Sequence, residues 1–377
     1  MTKYMPLALE LASRGLGNVE PNPTVGAVIV KAGKVIGKGW HKKFGGPHAE
    51  INALADCKKQ GANPKGATMF VTLEPCCHFG KTGPCTDALI AAKLKKVVVA
   101  TIDPSKHANG KGIRQLRKAG IKVVVGECEA EARVLNAPFL KFASTGKTWV
   151  TLKWAQSIDG KLAWAKADDK HRWISCEESR KDAHKLRRQV GAILVGINTV
   201  LKDDPLLTPR PARGKKPLRV VLDNHLRIPL DCKLLKTASD VPLLIVTRAV
   251  SLRTKAKKAK QIVGRGAELL ACPASRSNLK FLIAQLSKRG IQRLLVEGGP
   301  TVIGSFLKAK LADEVVIYVA PKILDTEGGA DISWAINNLH LCRAGIKHIC
   351  CDIRINGLTE AGIEEIGKTN LKKGVRK

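Results

Sequence analysis

Hydrophobic and polar positions in the first 145 residues switch repeatedly between a helical and an alternating period. Residues 3–15 carry apolar positions at helical spacing, broken by Glu10 and Arg14. Val25–Val30 and Lys34–Gly37 read as short strands around an Ala32-Gly33 turn. His48–Gln60 predicts a helix that stops near Gly61, Ala67–Thr72 a strand, and Cys85–Ala92 a helix. Val97–Ala100 predicts a strand, residues 112–119 a helix, Lys122–Val125 a strand, and Glu127–Phe142 one continuous helix leading to a Ser144-Thr145-Gly146 linker. Helices interleaved with short buried strands imply an α/β layer fold.

The pattern restarts at Trp149–Lys153, a strand, followed by a helix near 177–189 and strands at Ala192–Val195, Leu218–Leu222, Leu243–Val246, Arg293–Val296 and Val315–Val319, with a helix between the last two. This predicts a second α/β domain. The expected division is therefore 1–145, 146–367, and a basic tail at 368–377 with too little apolar content to order itself. No internal repeat or low-complexity segment is visible, no stretch approaches about 18 consecutive apolar residues, and the N-terminus reads as an amphipathic helix rather than a signal peptide.

Charge changes the picture more than composition does. The chain of 377 residues carries a formal net charge of +33, which raises the question of nucleic acid. The excess is spread evenly, +12 over residues 1–145 and +21 over 146–377, and aromatic residues make up only 4% of the chain, leaving few stacking platforms. A basic surface suited to phosphorylated small molecules is the expectation. The odd count of 11 cysteines in a long chain predicts reduced thiols and a cytoplasmic setting.

The chemistry concentrates in Pro47-His48-Ala49-Glu50, Glu74-Pro75-Cys76 and Pro84-Cys85. His48, Cys76 and Cys85 supply one imidazole and two thiolates, the set of three protein ligands by which catalytic zinc keeps a fourth position open for water. Zinc lowers the pKa of that water towards neutrality. Glu50, two residues beyond His48, is placed to shuttle protons rather than to ligate. This is the first half of the zinc-deaminase signature H-x-E…P-C-x-x-C. The second half departs from it, because Cys76 and Cys85 are nine positions apart with His78 and Lys81 in the intervening loop. Cys77 is a spare thiol that could take the place of Cys76 as ligand; the Glu74-Pro75 pair directly before Cys76 favours the latter.

At these residues the chain resembles the family of bifunctional riboflavin-biosynthesis deaminase-reductases, over roughly residues 4–355. The resemblance is carried by Pro21-Asn-Pro-Thr-Val-Gly26, Gly39-Trp-His41, Pro47–Glu50, Thr72–Cys76 with the loop to Cys85, Asp103-Pro104 and Gly110-Lys-Gly112. It implies a cytidine-deaminase-like three-layer α/β/α domain followed by a dihydrofolate-reductase-like α/β domain. It also implies one zinc ion on His48, Cys76 and Cys85, Glu50 as proton shuttle, and substrate contacts from Asn22, His41, His78 and Lys81.

In the second half the resemblance rests on Leu152–Gly160, Arg172–Ser175, Gly196–Pro205, Leu207–Arg210, Val220–Asp223, Val296–Thr301 and Ala320–Lys322. It implies NADPH contacted by Ala155, Trp173, Thr199, Asp203, Asn224 and a loop of Gly299, Pro300, Thr301, Val302, Ile303, Gly304 and Ser305. Substrate contacts would come from Lys153, His171, Arg187, Leu207, Arg210 and Glu297, with Arg187 and Arg210 gripping a phosphate by paired hydrogen bonds. Lys153 and Glu297 are both candidates for protonating the ribose. The family usually has a small polar residue where His171 stands and serine where Cys77 stands. The resemblance further implies a homo-oligomer, dimer or tetramer, acting on a phosphorylated pyrimidine. Two alternatives differ in class: a zinc-dependent nucleic-acid base deaminase with a basic accessory domain, and a deaminase whose second domain is only structural.

Overall fold

A computed structural model of the chain describes residues 3–79, 83–162, 173–211, 216–273, 279–324, 331–336 and 339–367. Among the described residues two compact units result, one up to Gly146 together with Ile366 and Gly367, the other Lys147–Glu365. Lys81, His171 and the 368–377 tail lie outside the described residues.

The first unit runs α1 (Tyr4–Ser13), β1 (Gly26–Lys31), β2 (Lys34–Trp40), α2 (Ala49–Lys59), β3 (Thr68–Leu73), α3 (Cys85–Ala91), β4 (Lys96–Thr101), α4 (Lys111–Lys118), β5 (Lys122–Val125), α5 (Glu129–Leu135) and α6 (Ala137–Thr145). Its sheet has the order β2-β1-β3-β4-β5. β1 is antiparallel to both β2 and β3, whereas β3, β4 and β5 are parallel. Strand alternation sorts the core into two layers. Ala27, Ile29, Met69, Val71, Val97 and Val99 pack with Ala53, Leu89 and Ile113 of α2, α3 and α4. Val28, Val30, Phe70, Val98 and Ala100 pack with Met5, Ala8 and Ala132 of α1 and α5. That is the expected three-layer α/β/α arrangement.

The predicted single helix over Glu127–Phe142 is two. Asn136 leaves helical geometry (φ −102°, ψ 14°) with Pro138 just beyond it. Its buried carboxamide accepts the Thr24 N–H (2.9 Å) and hydroxyl (3.1 Å) and donates to the Thr24 carbonyl (2.9 Å). The second helix also continues through Ser144 and Thr145, whose hydroxyls bond back to Leu140 and Lys141 carbonyls, so the linker begins only at Gly146.

The second unit holds β6 (Trp149–Ser157), α7 (Glu177–Arg188), β7 (Ala192–Gly196), α8 (Ile197–Asp203), β8 (Leu218–Leu222), α9 (Lys233–Lys236), β9 (Leu243–Arg248), α10 (Ala249–Thr254), α11 (Ala256–Gly264), β10 (Glu268–Cys272), α12 (Leu279–Lys288), β11 (Arg293–Glu297), α13 (Pro300–Lys308), β12 (Glu314–Ala320), α14 (Ser333–Ile336), β13 (Cys342–Ile349), β14 (Asp352–Leu358) and α15 (Glu360–Gly367). The nine strands follow the order β10-β9-β8-β7-β11-β6-β12-β14-β13. All pairs are parallel except β12–β14 and β13–β14. Central strands are buried on both faces, as parallel sheets require. Leu152, Leu194, Val220 and Val296 face Leu282, Leu286, Ile303 and Phe306, while Ile193, Val195, Val221 and Ile245 face Val200, Leu234 and Ile262.

Replacing Asn136 with Ala strands the buried Thr24 N–H and carbonyl, and should destabilise the first unit by about 2–4 kcal/mol. Urea denaturation followed by Trp40 fluorescence is the check; a loss below 0.5 kcal/mol, on the scale of an ordinary surface change, contradicts the assignment.

Candidate active sites

Three chain segments converge in the first unit. His48 is the residue before α2, Cys76 follows β3, and Cys85 opens α3. Their ligand atoms all lie within 4.8 Å of one another. His48 Nδ1 is 3.5 Å from Cys76 Sγ and 3.3 Å from Cys85 Sγ. A tetrahedral zinc shell with ordinary bond lengths has N···S edges of about 3.6 Å, so this donor set fits the ion. The Cys85 N–H donates to Cys76 Sγ at 3.3 Å, as an outer partner of a ligating sulfur does. Hydrogen bonding from Cys85, then His48, holds the Cys76 thiol well below its ordinary range, while the same contact pushes Cys85 up. Cys77 is not part of this cluster. Its sulfur is directed to the His107 carbonyl at 3.9 Å, and Cys76 is the sulfur that lies with His48 and Cys85.

Glu50 sits in the first turn of α2 and is 3% exposed. Burial, followed by the neighbouring Cys76 charge, pushes its carboxyl up to about 7. His41 is buried, and burial lowers its pKa. The Pro47 carbonyl can only accept, so the Nδ1–H of His41 donates to it (3.0 Å) and Nε2 is left to accept from Asn22 Nδ2 (3.1 Å). The rings of His41 and His48 meet edge to face with centroids 5.2 Å apart, which brings Asn22 and His41 beside the ligand cluster. His78 lies against His107, centroids 5.7 Å apart.

The ligand loop is held by a residue whose role in this position was not anticipated from the sequence. Glu74 is 4% exposed, and burial raises its pKa. Its carboxylate accepts the backbone N–H groups of Gly110 and Gly112, both at 2.9 Å, at the start of α4. Gly110 has φ +79°, and a Cβ on Gly112 would lie 2.2 Å from the Pro75 carbonyl oxygen. The Gly-Lys-Gly pattern is thus the backbone counterpart of Glu74-Pro75: glycine alone allows the helix to approach this closely.

In the second unit a cavity of about 1770 Å³ gathers most of the predicted residues. Ala155, Trp173, Thr199, Asp203, Asn224, Gly299, Pro300, Thr301, Val302 and Ser305 line it, as do Lys153, Arg187, Leu207, Arg210 and Glu297. Gly299–Ser305 is not a loop. Pro300 begins α13, and the helical turn carries Ile303 into the core and Gly304 out of the solvent, so neither lines the cavity. Pro300 carries no N–H and the Val302 and Ile303 N–H groups donate to the Gly299 carbonyl (3.1 and 3.2 Å), so at the head of α13 it is the Thr301 N–H that can meet a ligand phosphate. Gly196 and Gly298 lack room for a Cβ, which would meet Val302 side-chain atoms at 2.8 and 2.9 Å.

Lys153 and Glu297 face each other in register on neighbouring strands β6 and β11. Arg187 binds Glu297 with both arms of its fork, Nε–Oε1 2.9 Å and Nη2–Oε2 2.6 Å. The paired hydrogen bonds expected to reach a substrate phosphate are therefore committed to a carboxylate inside the protein. Burial pushes Glu297 up, but Arg187 and Lys153 outweigh it and hold the carboxyl at about 2. Burial lowers Lys153, against the opposing pull of Glu297. Sequence reasoning missed Arg180 and His184, which also line the cavity; with Arg187 they repeat at four and three residues, one face of α7, and that spacing was the available signal. Burial, then Arg187 and Arg210, lower His184 to about 4. Tyr318 completes the wall, its hydroxyl donating to Asp182 at 2.8 Å, and Arg354 pairs with the same carboxylate at 2.9 Å.

Comparison with known proteins separates the same two halves. Residues 1–101 match the cytidine and deoxycytidylate deaminase zinc-binding region, and residues 148–353 match the RibD C-terminal domain. Riboflavin biosynthesis protein RibD of Aquifex aeolicus is 48% identical over 322 residues, spanning 85% of this chain and 87% of the relative. The Escherichia coli protein of the same name is 38% identical over 339 residues, 86% and 88% of the two chains. Among solved structures, Acinetobacter baumannii RibD superposes with a TM-score of 0.78 at 37% identity, covering 94% of this chain and 98% of its own. The Thermotoga maritima diaminohydroxyphosphoribosylaminopyrimidine deaminase/5-amino-6-(5-phosphoribosylamino)uracil reductase gives 0.80 at 34%, covering 94% and 97%. Identity at this level across nearly the whole length, together with the ligand cluster and the second-unit cavity, places the chain in the RibD family of riboflavin biosynthesis proteins.

Proposed function

We propose that the chain carries out two consecutive steps of riboflavin biosynthesis. The first unit hydrolytically deaminates 2,5-diamino-6-(5-phosphoribosylamino)pyrimidin-4(3H)-one, and the second reduces the ribosyl group of the product to ribityl with NADPH. The observation that carries this reading is the convergence of His48, Cys76 and Cys85 next to the buried carboxylate of Glu50.

Zinc held by those three side chains supplies Lewis acidity that makes water nucleophilic near neutral pH. Glu50 takes a proton from the water that adds to the amino-bearing carbon and passes it to the ring nitrogen. As the C–N bond breaks, the second proton leaves with ammonia. Asn22, oriented by neutral His41, presents its carboxamide to the pyrimidine edge. His78 and Lys81 serve the phosphate.

In the second unit the uncapped start of α13, with Thr199, Asp203, Asn224 and Trp173, holds the dinucleotide, which supplies a hydride to C1′. Opening of the C1′–O4′ bond leaves an electron pair on O4′ that needs a proton. Glu297 is kept ionised by Arg187 and is unsuited to give one. Lys153, whose ammonium is weakened by burial, is the donor. Of Arg187 and Arg210, it is Arg210 that serves the substrate phosphate. A homo-oligomeric state, dimer or tetramer, and a cytoplasmic setting rest on the family likeness. All eleven cysteines are free, and no helix among the described residues is long and apolar enough to cross a membrane.

Incubation with the diaminopyrimidine ribotide should yield the deaminated product alone without NADPH and the ribityl product with it, followed by mass spectrometry. Glu50→Gln should slow deamination by about 10²–10⁴-fold while reduction of pre-deaminated substrate is kept. Lys153→Met should do the reverse, and a Lys153→Met enzyme with full reductase activity would overturn its role.

The Arg187–Glu297 pair sets a pH dependence. Because Glu297 is depressed to about 2, its pairing contributes stability above the ordinary carboxylate range near about 4.3 and loses it as pH falls towards 2. Arg187→Met should destabilise the second unit by about 3–5 kcal/mol at pH 7, a gap that narrows progressively below about pH 4. Denaturant titrations at several pH values measure it; a gap constant with pH contradicts the pairing.

A further inference from the structure

A second set of thiols meets in the reductase half, outside the residues matched by the zinc-binding region. Cys176 caps the N-terminus of α7, and Cys350 and Cys351 form the two-residue turn between β13 and β14, where Ile349 pairs with Asp352. The three sulfurs lie within 4.8 Å of one another. We propose that Cys176, Cys350 and Cys351 form a second zinc site, distinct from the deaminase centre.

The donor set suits the ion. Three sulfurs supply the soft donors that zinc prefers, and the exposed turn leaves the fourth position to water. Asp352 stands beside the cluster rather than in it, with Oδ1 3.6 Å from Cys351 Sγ and the residue 1% exposed. Its other oxygen, Oδ2, accepts the Cys176 N–H at 2.8 Å, which fixes the carboxylate between the two chain segments. Cys176 Sγ accepts the Ser179 N–H at 3.4 Å, the kind of backbone donation that accompanies ligating sulfurs. The turn itself is unusual. Cys350 has φ +53° in a two-residue hairpin loop, where glycine or asparagine is the ordinary choice. A cysteine there places adjacent sulfurs towards the helix at the expense of backbone ease.

Binding is balanced by release of one proton from each thiol that enters as thiolate. No oxidant is involved. The bound ion would tie the β13–β14 turn to the start of α7, the helix that presents Arg180, His184 and Arg187 to the cavity. It would act on the reductase half through that helix, not through contact with substrate.

The test is metal content of the full-length protein purified under reducing conditions without chelator. Two zinc equivalents per chain are expected in the wild type and one in the Cys350→Ser/Cys351→Ser variant, with deaminase activity retained. Cys176→Ser is a second, independent variant that should also hold one equivalent, and Cys342→Ser, outside the cluster, should hold two. In the cobalt-substituted proteins the thiolate-to-metal absorption of the double variant should fall to that of the Cys76 and Cys85 ligands alone. One equivalent in the wild type, two in either cluster variant, or a disulfide within the cluster by peptide mass would overturn the proposal. Loss of the deaminase metal, read separately in Cys85→Ser, would leave the second equivalent in place, so the two sites fail independently.

Discussion

The deaminase half depends on one buried carboxylate. Glu74 carries its negative charge where water does not reach, and that cost is met by N–H groups at the head of α4. The consequence is positional. With Glu74 anchored, Pro75 lies against Gly112 and Cys76 emerges from the end of β3 at a set height and angle. Two helix starts supply the remaining candidate ligands, His48 before α2 and Cys85 at the head of α3. Three elements with separate contacts to one core thus place three donors at metal-binding separation, and Glu50 in the first turn of α2 comes with them.

The reductase half solves a similar electrostatic problem with an ion triad. A buried carboxylate, a buried ammonium and a guanidinium share one region of the cavity wall. Arg187 spends its fork on Glu297, so the carboxylate stays ionised while Lys153 bears the cost of burial. This arrangement separates roles that the residue types alone leave open. A carboxyl pinned to its charged form is a poor proton donor, whereas burial weakens an ammonium's hold on its proton.

Much of this was legible in the residues. The strands buried on both faces, such as Val97–Ala100 and Ala192–Val195, declared themselves as short apolar runs, and the type and spacing of His48, Cys76 and Cys85 marked them as candidate ligands that the fold brings within 4.8 Å. The missed elements have physical reasons. β13 is exposed at nearly every position, so no alternation marks it, and β10 at the opposite edge is half-exposed. The break at Asn136 depends on Thr24, more than a hundred residues earlier, which a local helical period cannot register. Arg187 was legible as a cation but not as Glu297's partner, because the pairing arises only when α7 packs beside β11. Glu74 and Gly112 stood in plain view as motif residues, but their reciprocal fit is a property of packing rather than of spacing.

The claim on which the account rests is where the deaminase metal sits and what holds it. Anomalous diffraction from crystals of the zinc-loaded protein, collected on both sides of the zinc edge, tests it directly. The account predicts a peak in the first unit bonded to His48 Nδ1 and to the sulfurs of Cys76 and Cys85, at about 2.0–2.3 Å. No peak among those three atoms, or one held by Cys77 in place of Cys76, would contradict it.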